Sequence, residues 1–195
     1  MEAFSDGVLA IIITITVLEL RPPHGASVWV LKPVIPVFLS YALSFLYVGI
    51  YWNNHHHLLQ ATQHVSGGVL WANLHLLFWL SLTPFATGWM GENPFSPWPV
   101  ALYGALLSLA GIAYFILTRV LIACQGADSI LAQSIGNDRK GAVSIITYLI
   151  AIPLAFVSPA VAFGLYVVVA LMWLVPDRRI ERTLAKNGVT ESRMH

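Results

Sequence analysis

The chain is expected to fold as an all-α integral membrane protein with six transmembrane helices, and three observations carry that expectation. Of its 195 residues, 57% are hydrophobic and only 10% are charged. The mean hydropathy is +0.74, well outside the usage of an average soluble domain. The apolar residues also gather into six runs, separated by clusters of proline, glycine and charge that act as breakers.

The first run, 4–20, reads FSDGVLAIIITITVLEL and carries Asp6 and Glu19 near its ends, with Thr14 and Thr16 between them. On a helix rising 1.5 Å per residue the two acids stand about 20 Å apart. Both therefore avoid the centre of a hydrocarbon layer, where charge is most costly. No basic segment precedes this run and no small-residue cleavage site follows it, so it is expected to be retained rather than removed as a signal peptide. Turning each residue by about 100° places Gly7, Ile11, Thr14, Ile15 and Leu18 on one stripe, with Asp6 on the far side beside Ile13 and Val17. On the residues alone, the stripe suits ordinary helix packing as well as a pore wall. Thr14 likewise has two readings, a hydroxyl facing a lumen or one bonded back to its own helix carbonyl.

Arg21-Pro22-Pro23-His24-Gly25 stops the first helix, since tandem proline removes backbone donors. The second run, 34–54, opens with Pro33 and Pro36 in a first turn that tolerates proline, and it ends in the histidines His55-His56-His57. Ser66-Gly67-Gly68 precedes the third run, 69–90, where Pro84 is expected to kink the helix. A proline-rich loop leads to the fourth run, 100–124. Its Ala101, Gly104, Ala105, Ser108 and Gly111 form the small-residue surface that lets membrane helices approach closely. The segment 125–140 is polar, and the last two runs, 142–156 and 160–175, meet at Ser158-Pro159 as a hairpin. Residues 1–176 thus form one transmembrane unit without internal repeats, and 177–195 form a charged tail.

Six spans put both termini on one side. Arg139, Lys140, Arg178, Arg179, Arg182, Lys186 and Arg193 fall on that side, against Arg21 and Lys32 on the other. The positive-inside rule makes it cytoplasmic. Arg119 lies near the inner end of its run, from which its side chain reaches the headgroups. Tryptophans near run ends, such as Trp29, Trp71, Trp89, Trp98 and Trp173, suit interfacial anchoring.

A net charge of +1 with no basic run argues against a nucleic-acid partner. No phosphate loop and no nucleophile with a positioned base is visible, so an enzyme is not expected. Cys124 is the single cysteine and forms no intrachain disulfide. His55, His56, His57, His64 and His75 raise the reading of a metal-dependent membrane enzyme, because imidazole is a common transition-metal ligand. Consecutive helical histidines point about 100° apart, however, and no carboxylate pair accompanies them in the sequence. No resident metal or cofactor is expected. A proton-coupled transporter using Asp6 and the membrane histidines is the alternative of a different class.

Phe4-Ser5-Asp6 with the helix that follows, YWNNHH at 51–56 and WANLHLLFWLSLTPFATGWMG at 71–91 resemble the bacterial members of the transmembrane protein 175 family, potassium channels without the usual potassium filter sequence. The family's motif carries an arginine four positions before the phenylalanine; here that position precedes Met1. The resemblance implies a homotetramer in the bacterial inner membrane, with the first helix around the symmetry axis and K+ passing passively. Ile11, Ile15 and Leu18 would then form apolar rings able to gate by dewetting. Thr14 would supply a ring of hydroxyl oxygens replacing part of the water of a potassium ion. Phe4, Ser5 and Asp6 would be held to the second and third helices, for which Trp52, Asn54, His55, His56 and Asn73 are the polar candidates. The expected partners are three further copies of the chain, the lipid bilayer and monovalent cations.

Overall fold

The computed structural model describes residues 1–62, 64–126, 129, 132 and 139–174. The charged tail at 177–195 and most of the polar segment 125–140 lie outside the described residues.

Helix α1 spans Glu2–Val17. It stops short of the expected end at residue 20 because its last turn tightens: the amides of Leu18, Glu19 and Leu20 each bond the carbonyl three residues back, the 3-10 closure common at helix ends. A 3-10 segment, Val28–Val34, follows, with Ser27 capping its start and Pro33 inside it. Helix α2 runs Ile35–Gln60 with Pro36 in its first turn. It continues past the expected end at residue 54, because Leu58 and Leu59 beyond the histidines are buried in the core.

The third run is interrupted at Leu82, just before the proline expected to kink it. Ser66 caps α3, Gly67–Ser81, and α4, Thr83–Glu92, begins after Leu82 with Pro84 in its first turn. Proline there lacks the amide that would continue the α3 ladder, so the chain restarts. Helix α5, Pro97–Gln125, is the longest. Helices α6, Arg139–Leu154, and α7, Pro159–Leu174, form the closing hairpin. Among the described residues, the stretches Val28–Gln60, Gly67–Glu92 and Pro97–Gln125 have the length and hydropathy to cross a membrane, and Lys140–Leu154 and Pro159–Leu174 are apolar but shorter.

Helix α5 joins two cores. Towards its C-terminal end, Ala110, Ala113, Leu117 and Leu121 pack with Leu9 and Ile12 of α1, Leu58 and Leu59 of α2 and Leu76 of α3. Towards its N-terminal end, Val100, Tyr103, Leu106 and Leu107 pack with Leu43 and Tyr47 of α2, Ala86 and Met90 of α4, and α6 and α7. In hydrocarbon the apolar effect does little to hold helices together, so close packing and interhelical hydrogen bonds carry the association. The second core is rich in such bonds. Ser44 bonds Thr87 at 2.6 Å and Tyr103 at 2.9 Å. The Tyr47 hydroxyl donates to the Tyr166 carbonyl at 2.6 Å, and the Tyr166 hydroxyl donates to the Val100 carbonyl at 3.1 Å.

Gly104 is what lets Tyr166 lie against α5: a Cβ at that position would overlap the Tyr166 hydroxyl. Gly104→Leu is therefore expected to cost about 1–3 kcal/mol, seen as a fall of several degrees in the melting temperature of the purified protein. An unchanged melting temperature would show that α5 and α7 part freely here.

Candidate functional site

Helix α1 has two unlike faces. Ser5, Leu9, Ile12 and Thr16 are buried, a spacing of four, three and four residues that makes one continuous seam against the rest of the chain. The opposite side is bare. Ile11 is 57% exposed, Ile15 44% and Leu18 74%, Gly7 and Thr14 are exposed with them, and nothing lies within 4 Å of where a Gly7 Cβ would be. The structure thus brings Gly7, Ile11, Thr14, Ile15 and Leu18 together on one uncovered stripe of the single chain. The Thr14 hydroxyl donates to the Ile11 carbonyl at 2.9 Å. That bond uses the hydroxyl hydrogen and leaves the oxygen lone pairs available on the exposed side.

What sets the rotation of α1 is a directed run of hydrogen bonds at its N-terminal end. His55 Nε2 lies 2.7 Å from Asn73 Oδ1, and Asn73 Nδ2 donates to Ser5 Oγ at 2.9 Å. The Ser5 hydroxyl in turn donates to the Met1 carbonyl at 3.2 Å. With His55 donating, every group in the run is used in one sense, so the Asn73 amide joins α1, α2 and α3 through both of its ends. All three side chains are buried. Beside them, Trp52 Nε1 donates to Asp6 Oδ1 at 3.0 Å.

The remaining candidates go elsewhere. The Asn54 side chain donates to its own helix at the Ile50 carbonyl, at 2.8 Å, while the Asn54 carbonyl accepts from the Tyr114 hydroxyl. Phe4 is largely exposed. The His56 ring stacks on Trp52 and faces Glu2, with Nδ1 3.1 Å from Glu2 Oε1. Glu2 is a residue that sequence reasoning missed. The expectation that no carboxylate pair accompanies the histidines is corrected here, because the N-terminal end of α1 brings both Glu2 and Asp6 beside His56. The run of three histidines does not converge: His55 turns to α3 and His56 to α1, as consecutive helical positions must.

At the other end of α1, Glu19 packs on Gly88 of α4, where a Cβ would overlap its carboxylate. Arg21 pairs with Glu92 at 3.8 Å; both side chains are well exposed, so this pair contributes little.

Fold and site together define an all-helical membrane protein in which one helix is tethered by polar bonds on one face and left uncovered along the other. The family model described as endosomal/lysosomal potassium channel TMEM175 matches residues 1–84, the part that holds the uncovered stripe and its tether. A potassium channel of Chryseobacterium sp. (strain P1-3) is 56% identical over 187 residues, 96% of this chain and 97% of that one. A potassium channel of Streptomyces collinus is 34% identical over 96 residues, 47% of each chain. A solved structure, described as a lysosomal potassium-selective channel TMEM175 homologue from Chamaesiphon minutus, is 26% identical. It aligns with a TM-score of 0.77 over 90% of this chain and 95% of that one. The chain belongs to the TMEM175 family of potassium channels, and these relatives are channels rather than enzymes.

Removing the amide that joins three helices has a defined cost. Asn73→Ala leaves the His55 N–H and the Ser5 hydroxyl oxygen without their partner in a buried place, at about 1–3 kcal/mol. Asn54→Ala loses only a bond within its own helix and is expected to cost less than about 1 kcal/mol. Thermal melting of the two variants in detergent checks the difference; equal melting temperatures would deny the tether its role.

Proposed function

We propose that this chain is a potassium-selective channel that passes K+ passively through a homotetrameric pore lined by α1. The protomer is a single unit of six spans over residues 1–176, set in a bacterial inner membrane with both termini and the tail at 177–195 in the cytoplasm. The observation that carries the reading is the uncovered stripe of α1 opposite its buried seam. One helix encloses nothing, but four copies around an axis enclose a narrow path, with the buried seam of each turned outwards to its own scaffold.

On this reading Ile11, Ile15 and Leu18 form apolar rings, and a ring of that kind closes a pore by excluding water. Thr14, one turn from Ile11, forms the selectivity layer. Its hydroxyl is already committed as a donor to the Ile11 carbonyl, so what it offers a passing cation is oxygen lone pairs. Four such oxygens replace part of the hydration shell of K+, which sheds water at lower cost than Na+ does. Phe4, Ser5, Asp6, Trp52, Asn54, His55, His56 and Asn73 form the support that keeps α1 in register. No cofactor takes part, and K+ is the permeant ion. The potassium-channel relatives support the same reading.

The reversal potential of purified protein in a planar bilayer, with K+ on one side and Na+ on the other, tests selectivity. The expected value is displaced towards the potassium equilibrium potential, each tenfold of preference being worth about 59 mV. Thr14→Ala is expected to move it towards zero by several-fold loss of preference. An unaltered value in that variant would remove Thr14 from selectivity. Ile11→Asn is expected to raise resting current, because a polar ring stays wet; unchanged conductance would remove Ile11 from the constriction.

A further inference from the structure

Beside the tether, α1 and α2 bring together three side chains whose chemistry neither helix packing nor the uncovered stripe absorbs. Glu2 and Asp6 lie one turn apart on α1, His56 faces them from α2, and their ligand atoms all lie within 4.8 Å of one another. His56 Nδ1 is near Glu2 in distance but is buried without a hydrogen-bond partner, so the contact lacks the alignment of a bond. The ring is held from its other sides. Trp52 stacks on it at 5.9 Å and 24°, and the Gln60 amide lies 2.9 Å from Nε2. With the nearly isosteric amide turned so that its oxygen faces the ring, Nε2–H donates to Gln60 and Nδ1 carries a free lone pair within 4.8 Å of the carboxylate oxygens, which a small turn of the ring would aim at a shared ion. A second nitrogen donating to a fixed acceptor is the arrangement of metal-binding imidazoles. Trp52 holds Asp6 by Oδ1, which leaves Oδ2 available as a ligand.

We propose that Glu2, Asp6 and His56 form a binding site for a first-row divalent metal ion of the zinc type, which would tie the N-terminal turn of α1 to α2. One imidazole nitrogen and two carboxylate oxygens suit Zn2+, with water as the fourth ligand. Bond lengths of about 2.0–2.2 Å require the groups to close by about 1 Å, a movement the exposed Glu2 side chain can supply. Mg2+ prefers all-oxygen surroundings and keeps its waters, so it is excluded by the imidazole. The site stands apart from the pore reading, since its test involves no current.

The test is calorimetric titration of the purified, chelator-treated full chain with ZnCl2, accompanied by melting curves with and without the ion. The expected result is one saturable site per chain, a melting temperature raised by zinc, and no equivalent site for MgCl2. Glu2→Gln and His56→Gln should each weaken zinc binding at least tenfold. Because His56 also stacks on Trp52, loss of binding in its variant counts only where its melting curve shows a folded chain; Glu2→Gln, on an exposed side chain, otherwise decides the matter alone. No saturable zinc binding, zinc binding undiminished in Glu2→Gln, or equal binding of Mg2+ would each overturn the assignment.

Discussion

A polar side chain buried away from water must find its hydrogen-bond partner within the protein, because leaving it unpaired is costly. The structure of this channel-family chain depends on how that constraint is met at Ser5, Asn73 and His55. Asn73 offers an acceptor to one helix and a donor to another, and no other rotation of α1 would present Ser5 to it. Fixing Ser5 inward fixes Leu9, Ile12 and Thr16 inward as well, since they follow at helical spacing. The stripe from Gly7 to Leu18 is bare as a consequence. A buried hydrogen bond thus selects which face of an otherwise apolar helix is left uncovered.

The rest of the chain serves as a stiff mount for that helix. Helix α5 belongs to both cores, so the end that holds α1 and the end that packs α6 and α7 are joined by one continuous rod. Hydroxyl bonds among Ser44, Thr87, Tyr103, Tyr47 and Tyr166 stiffen the second core, where apolar contact by itself distinguishes poorly between helix and lipid. Helix α1 lies against α2, α3 and α4. Its attachment is a seam of four buried residues and a polar clamp at one end.

The helical runs, the proline breaks and the uncovered stripe of α1 were legible in the sequence, because apolar length and helical spacing are local properties. Its buried face was not, since Val17, expected on the far side with Asp6 and Ile13, is exposed and the seam runs through Ser5, Leu9, Ile12 and Thr16 instead. Helix ends were not. Residue 54 reads as a terminus because asparagine and histidine follow, but Leu58 and Leu59 find burial in the core and draw α2 on to residue 60. The interruption before Pro84 falls at Leu82, where α3 ends and α4 starts with its own proline-bearing first turn. The polar groups around Ser5 and Asp6 were visible as candidates by depth, but which of them touch is a matter of helix rotation. Asn54 bonds its own helix, while Asn73 does the joining. Glu2 was missed for a similar reason, since its neighbour His56 is far along the chain and only the approach of α1 to α2 brings them together.

In the proposed tetramer, the stripe of α1 opposite the Ser5 seam faces the ion path. Cysteine scanning tests it most directly, in a background with Cys124 replaced by serine, with a charged thiol reagent applied while current is recorded. Cysteines at Gly7, Ile11, Thr14 and Leu18 are expected to be modified with a change in current, while those at Leu9, Ile12 and Thr16 are not. Modification that follows the Leu9, Ile12 and Thr16 side, or no dependence on position at all, would contradict it.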